Sequence, residues 1–359
     1  MLLTPYNMCN ELLVLVCAWV RNELLAHSVN LYLHITLTIT TCQPLRAIII
    51  CMKILIIGAA GFFGRNLSYD YLPSHDISCI DLPLDLFGDK KDFYNKFDVA
   101  GIDIQEDLWQ VKQRMMGCDV VIHLANKTRI SPSWQEYEQY YSMNIGTTQK
   151  IYALSQTLGV KKFIYFSSSS VYGNNGWIPN KETDPLNPTS PYAISKMAAE
   201  AALTAQQNRL PTTELIIVRP FTMYGPFMEM GKYSLVISKF IEAAQNGDPL
   251  LLDATGSQTR DFIHVSDAIS ALSLIIEHGK SGDIYNIGSG ESVSIRELAD
   301  IVSSKQVHTP PRIGHIEHTL ADTSKLKELG WKPQIDVKTW LTNLVADLSI
   351  TSNIKQEEK

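Results

Sequence analysis

Four apolar residues, Ile54 to Ile57, run without interruption into Gly58-Ala59-Ala60-Gly61-Phe62-Phe63-Gly64. A stretch with no polar face must be covered on both sides, which is the situation of a strand inside a parallel sheet. Glycines three apart then let the chain turn sharply and bring backbone amides close to a ligand. The helix that follows presents its N-terminal dipole end, which favours an anion such as a pyrophosphate. A plain strand leaving through a flexible turn would read alike, so the motif needs support from further along the chain. That support is Asp81, 23 residues after Gly58, at the end of a second apolar run from Ile77 to Ile80. A carboxylate there accepts hydrogen bonds from the adenosine ribose hydroxyls and repels a 2′-phosphate, so NAD is expected over NADP. A solvated strand-end carboxylate is the ordinary alternative. Asp103 and Ile104 are candidates for the adenine edge, with an exposed loop nearly as good an account.

The alternation continues. Val120 to Leu124, Phe163 to Phe166 and Leu215 to Val218 read as strands, and Tyr137 to Leu158 and Tyr192 to Asn208 as the longest helices. Strands alternating with crossover helices predict an α/β fold built on a doubly wound, right-handed parallel sheet of the Rossmann type, over residues 52–220. Beyond Pro220 the pattern loosens, with turns near Gly225, Gly247, Gly256 and Gly282, so a smaller α/β substrate lobe is expected over residues 221–350 and a frayed tail over 351–359. Residues 1–51 are unlike the rest: they hold no glycine, and Arg21 and Arg46 are their strongly basic residues. Their apolar stretch from Leu12 to Val20 is too short to cross a bilayer and has no lysine or arginine ahead of it, so neither a membrane span nor a signal peptide is expected. Met52 is expected to begin the functional domain, with residues 1–51 a dispensable or artefactual extension.

Composition excludes some functions. A formal charge of -6 without a basic stripe argues against nucleic acid as the partner. Of six cysteines, Cys9, Cys17, Cys42 and Cys51 precede the first strand, leaving Cys79 and Cys118 for everything else. This is a reduced, cytoplasmic pattern rather than a disulfide framework. No metal is invoked.

Tyr192 and Lys196 lie four apart on a predicted helix and so share a face. A tyrosine titrates near ~10, and base catalysis near neutrality requires a drop of roughly 3 units, about 4 kcal/mol. One ammonium about 4 Å away at an effective dielectric near 20 supplies roughly that much, and an oxidised nicotinamide adds a second positive charge. Taken alone, the pair is equally an ordinary i, i+4 surface pair. Ser167 to Ser170 change the balance by setting hydroxyls at the carboxyl end of a parallel strand, where open α/β sheets bind ligands. Ser168 or a neighbour is expected to hydrogen-bond a substrate oxygen while Tyr192 removes its proton; helix capping is the competing role.

At this point the chain resembles the extended short-chain dehydrogenase/reductase family of nucleotide-sugar epimerases and dehydratases. The resemblance rests on the GAAGFFG turn, Asp81, His123 to Ala125, Asn144 with Gly146 and Thr147, SSSSVYG ending at Gly173, YAISK from Tyr192, RPFTMYGP from Arg219, TRDFIHVSD from Thr259 and YNIGSG from Tyr285. It implies that Ser168 is the catalytic hydroxyl beside Tyr192 and Lys196. It also implies NAD contacts from Phe62, Phe63, Leu124, Ala125 and Asn144, and diphosphate contacts from Arg260 and Arg312. Dehydratases of this family look like Asp then Glu after the catalytic hydroxyl, and related decarboxylases like Glu at the second place, whereas this chain has Ser169 and Ser170. The resemblance therefore implies a 4-epimerase working on bound NAD through a transient 4-ketone. UDP-glucose/UDP-galactose is the first expected substrate pair, UDP-glucuronate the second and an N-acetylated hexosamine nucleotide the third. Thr222 stands where an asparagine is often found and leaves that choice open. Arg129 faces either the sugar, a carboxylate or solvent. The alanines from Met197 to Ala205 suit a homodimer joined through a four-helix bundle, or simply packing inside one subunit. A reductase, a dehydratase and a non-catalytic NAD-binding scaffold are the rival readings.

Overall fold

A computed structural model describes residues 52–71, 73–84, 90–174, 179–231, 234–310 and 316–357. The expectations for residues 1–51 and for Arg312 lie outside the described residues. Seven parallel strands form the main sheet in the order β10-β6-β5-β4-β1-β2-β3. They are β1 (Lys53–Ile57), β2 (Asp76–Asp81), β3 (Ala100–Gly101), β4 (Val120–His123), β5 (Lys162–Phe166), β6 (Glu214–Pro220) and β10 (Ile284–Ile287). Strand β1 sits between β2 and β4, with Ile56 opposite Cys79 on one side and Ile122 on the other. The chain winds outward from β1 in both directions, and that reversal opens a crevice at the carboxyl ends of β1 and β4.

The lack of a polar face in β1 follows from this central place. Ile54 and Ile56 join the core on one side with Leu67 of α1 (Phe62–Tyr71) and Leu272. Leu55 and Ile57 point to the other side, with Ile151 of α2 (Thr148–Leu158) and Leu203 of α3 (Pro191–Arg209). All four are fully buried, each a contribution of roughly 1.5–3 kcal/mol. Helix α3 starts sharply, because the Ser190 hydroxyl accepts from the Ala193 amide and Pro191 follows at the first position.

Two expectations need adjustment. The helix from Tyr137 to Leu158 is interrupted by a π turn over Ser142–Thr147. That widened turn contains Asn144, whose amide donates to the Lys127 carbonyl and to the Ser195 hydroxyl, while its oxygen accepts from the Lys127 amide. The second lobe is also less separate than its sequence suggests. It carries a three-stranded sheet of β7 (Thr222–Tyr224), β9 (Thr259–His264) and β11 (Ser292–Ser294) and a pair formed by β8 (Leu250–Asp253) and β12 (Gln306–Thr309). Between them the chain returns to the main sheet as β10, parallel to β6, with Tyr285 opposite Val218.

Candidate active site

A cleft of about 840 Å³ runs along the carboxyl ends of the central strands and is lined from both lobes. At its base the three glycines of the turn have different surroundings. Gly58 has φ +93°, and a Cβ there would lie 2.6 Å from the Ala125 amide nitrogen; a Cβ on Gly64 would lie 2.4 Å from the Gly58 carbonyl oxygen. These two let the turn press against β4 and α1 against the turn. A Cβ on Gly61 meets nothing closer than 3.4 Å. Gly61 borders the cleft beside Phe62, Phe63 and Gly64, at the helix end whose first amides have no partner within the helix. The turn is thus packed behind and open in front, and it offers the cleft a helix N-terminus, an arrangement suited to an anionic group.

Asp81 closes the adjoining part of the cleft. Its carboxylate accepts from the Ala60 amide at 2.7 Å and from the Leu82 amide at 2.8 Å, so it braces the turn as well as lining the cleft. Burial pushes its carboxyl above the usual range, opposed by those amides and by the Lys90 charge. Lys90, 8% exposed on the cleft wall, was not signalled by any sequence motif. Asp103 and Ile104 both line the cleft. Ile104 belongs to the core as well, and the Asp103 carboxylate is engaged by the Gln105 amide. Leu124 and Ala125 line the cleft directly beside the turn, against which both are packed; Asn144 is not on the wall but fixes the loop that carries Lys127.

Ser168, Tyr192 and Lys196 converge on this cleft from β5 and α3. The Ser168 hydroxyl accepts from the Ser170 hydroxyl at 2.9 Å and from the Ser170 amide at 3.2 Å. Tyr192 is 8% exposed, with the Tyr140 ring edge-on at 6.4 Å. Burial raises its phenol above the ordinary value, and a hydrogen bond with Ser168 and the Arg129 charge work in the opposite direction. Lys196 is 2% exposed; its Nζ donates to the Phe166 carbonyl at 2.5 Å and lies 4.8 Å from the Tyr165 ring centre. Burial lowers the Lys196 ammonium to about 7, and Glu200, one turn on, opposes that shift. The expected lowering of Tyr192 by Lys196 is therefore not met in the chain alone. The ammonium is held by a backbone carbonyl and is itself destabilised by burial.

Behind the triad stands a buried network that the sequence reading missed. Glu200 accepts from the Ser167 hydroxyl, and its two oxygens receive Arg219 Nε at 3.0 Å and a terminal nitrogen of the same guanidinium at 2.6 Å. Arg219 also donates to Tyr172, whose hydroxyl donates to Asn286 of β10 at 2.7 Å. Glu at the eighth position after Tyr192, on the buried face of the same helix, was the available signal.

The second lobe supplies Thr222 and Arg260 to the opposite wall. Arg260 is oriented by the alternation of β9, because its neighbour Asp261 points inward and accepts from the Ser289, Gly290 and Ala321 amides. The Arg260 guanidinium donates to the Thr259 and Glu317 carbonyls. Arg129 also lies on the wall, where it forms an ion pair with Glu229.

Residues 54–288 match the model of the NAD dependent epimerase/dehydratase family. A Methanocaldococcus jannaschii protein provisionally named a UDP-glucose 4-epimerase is 30% identical over 299 residues, covering 81% of this chain and 97% of its own. The solved UDP-glucose 4-epimerase of Thermotoga maritima with UDP-glucose is 26% identical, covers 84% of this chain and 99% of its own, and superposes with a TM-score of 0.76. The UDP-glucuronic acid 4-epimerase of Bacillus cereus, solved with UDP-glucuronic acid and NAD, is 27% identical, covers 83% and 100%, and gives 0.75. A glycine turn, a buried strand-end carboxylate and a Ser/Tyr/Lys group line one cleft, and the chain belongs to the NAD-dependent epimerase/dehydratase family.

Proposed function

We propose that this chain interconverts a nucleotide sugar and its C4 epimer, with UDP-glucose and UDP-galactose the first pair to try, UDP-glucuronate the second and an N-acetylated hexosamine nucleotide the third. The observation that carries this reading is the pair that follows Ser168. Ser169 and Ser170 are hydroxyls, and Ser170 is engaged with Ser168 itself, so no carboxylate stands there to expel water or steer a decarboxylation.

NAD, when bound, accepts the C4 hydride and gives it back. The chain's own part is to position and to move a proton. Ser168, held by Ser170, presents its hydroxyl to the sugar oxygen, and Tyr192 takes the C4 hydroxyl proton and later returns it. Any positive charge brought beside the buried phenol favours its ionised form, so Tyr192 becomes a competent base only in the loaded enzyme. Gly61 and the start of α1 receive the cofactor pyrophosphate, Asp81 its ribose, and Arg260 the substrate diphosphate, for which a guanidinium fork is well suited. Between the two hydride steps the ketone turns its other face, which calls for a roomy sugar site rather than a tight one.

We also place a dimer contact on α3. Ala199 and Leu203 are used inside the subunit, whereas Ile194, 39% exposed, lies on a face left open to a second copy. Sedimentation of the pure chain as a monomer would remove this part of the reading.

The test is incubation with a panel of nucleotide sugars, with product separation and the reduced-cofactor absorbance followed together. Formation of UDP-galactose from UDP-glucose without net consumption of cofactor is expected, and Tyr192→Phe should abolish it while NAD still binds. A 4-keto-6-deoxy product would replace the assignment by a dehydratase, steady oxidation of added NADH by a reductase, and absence of turnover on every sugar by a scaffold.

A further inference from the structure

One ion pair in the cleft has no part in the chemistry just described. Arg129, in the loop after β4, pairs with Glu229, 100 residues later in the second lobe, and both side chains line the cleft. Each is built in from behind. The Arg129 carbonyl accepts from the Tyr140 hydroxyl at 2.6 Å, and the Tyr140 ring packs edge-on to Tyr192. The loop carrying Glu229 is fastened to α1, with Asn66 donating to the Pro226 carbonyl and Arg65 to the Phe227 carbonyl, both at 2.8 Å. Phe227 holds φ +64° in that loop and stacks on Tyr69, 5.6 Å between ring centres. A bulky residue in the left-handed region is held there by its surroundings. The Glu229 carboxylate is thus set against Arg129 by two anchored segments.

We propose that Glu229 is a specificity-determining residue that neutralises Arg129 and so reserves the sugar site for neutral hexoses. The inference rests on the nucleotide-sugar reading above. Arg129 lines the same cleft as Tyr192 and is tied to it through Tyr140, which bonds the Arg129 carbonyl and packs on the Tyr192 ring, so it borders the place where the sugar reacts. An unpaired arginine there would attract a uronate carboxylate. With Glu229 in place, a uronate meets a cation already paired and a second carboxylate of like charge, and such repulsion discriminates between ligands that contacts alone would treat alike. A neutral hexose brings hydroxyls, which can bond to either member of the pair without breaking it.

The experiment is calorimetric binding of UDP-glucose and of UDP-glucuronate to the NAD-loaded full chain, for wild type, Glu229→Gln, and the double variant Arg129→Met/Glu229→Gln. Wild type should bind UDP-glucose at least tenfold tighter. Glu229→Gln, nearly the same shape without the charge, should shift the ratio at least tenfold toward UDP-glucuronate, and the double variant should reverse that shift. A ratio unmoved by Glu229→Gln, or a wild type that prefers UDP-glucuronate, overturns the proposal while leaving the epimerase reading in place. Binding of neither sugar by wild type overturns the proposal and removes the first two substrate assignments, whereas the epimerase reading itself falls only if no nucleotide sugar of the panel is turned over.

Discussion

Alanine substituted in turn for Gly58, Gly61 and Gly64 should give two different kinds of defect. At Gly58 the new Cβ would sit 2.6 Å from a backbone nitrogen, on a residue with φ +93°. The left-handed backbone costs an alanine about 1–2 kcal/mol, and forcing apart packed backbone adds about 1–3 kcal/mol. A loss of about 2–5 kcal/mol is expected. Gly64→Ala needs no unusual backbone but meets the Gly58 carbonyl at 2.4 Å and the Ala59 carbonyl at 2.7 Å, so it should lose about 1–3 kcal/mol by overpacking alone. Gly61→Ala has 3.4 Å of room and should fold within about 0.5 kcal/mol of wild type. Its methyl would instead stand where the pyrophosphate approaches. Losing one or two hydrogen bonds to a charged group, at about 1.5–3 kcal/mol each, weakens NAD binding by roughly ten- to a hundredfold or more. Denaturant unfolding without ligand and NAD titration of each folded variant are the two assays. Normal NAD affinity in Gly61→Ala would refute the assignment of this turn as the pyrophosphate cradle, and a stable Gly58→Ala would refute the packing argument.

Two further outcomes follow from the buried charges. Arg219→Met leaves the Glu200 carboxylate buried without its guanidinium and should cost about 3–5 kcal/mol in denaturant unfolding, most of it recovered in Glu200→Gln/Arg219→Met; equal losses in the single and double variants would show that the pair is not the cause. Lys196, lowered to about 7 in the folded chain from its ordinary 10.5, destabilises fully below pH 7, and this cost fades as pH rises toward 10.5 and is gone above it, where the amine is neutral in both states. The stability of Lys196→Met relative to wild type should therefore fall between pH 7 and 9, by on the order of 2 kcal/mol, whereas parallel stability curves would refute the burial of a charged amine.

The parts of the fold legible in the sequence are those where one local pattern has one physical cause. The continuous apolar runs of β1, β4 and β5 cannot be half-exposed, so their place inside a parallel sheet could be read directly. The helix expected from Tyr192 to Asn208 is α3 within a residue at each end, and the spacing from Tyr192 to Lys196 sets both on one face. Features that depend on distant partners could not be read. The π turn at Ser142–Thr147 holds Asn144, which bonds across 17 residues and more, and Gly146 within it interrupts the helical pattern without specifying a widened turn. The partner of Arg129 lies 100 residues away, so its pairing with Glu229 was invisible where its position in the cleft was only one of three options. The state of the phenol in the chain alone could not be read for a related reason: helical spacing gives the distance between Tyr192 and Lys196 but not the Phe166 carbonyl that takes the ammonium.

The seventh strand has a consequence for how the protein could be divided. Ile284–Ile287 covers the flank of β6, so a piece ending at residue 220 would carry a bare row of amides and carbonyls along Glu214–Pro220, open to pairing with any other extended chain. Such a piece should self-associate rather than remain a tidy nucleotide-binding half. A well-behaved monomer of residues 52–220 in light scattering would contradict this. The shortest piece with a finished sheet edge reaches past Ile287, and recombining lobes between relatives would have to carry β10 along with the strands it completes.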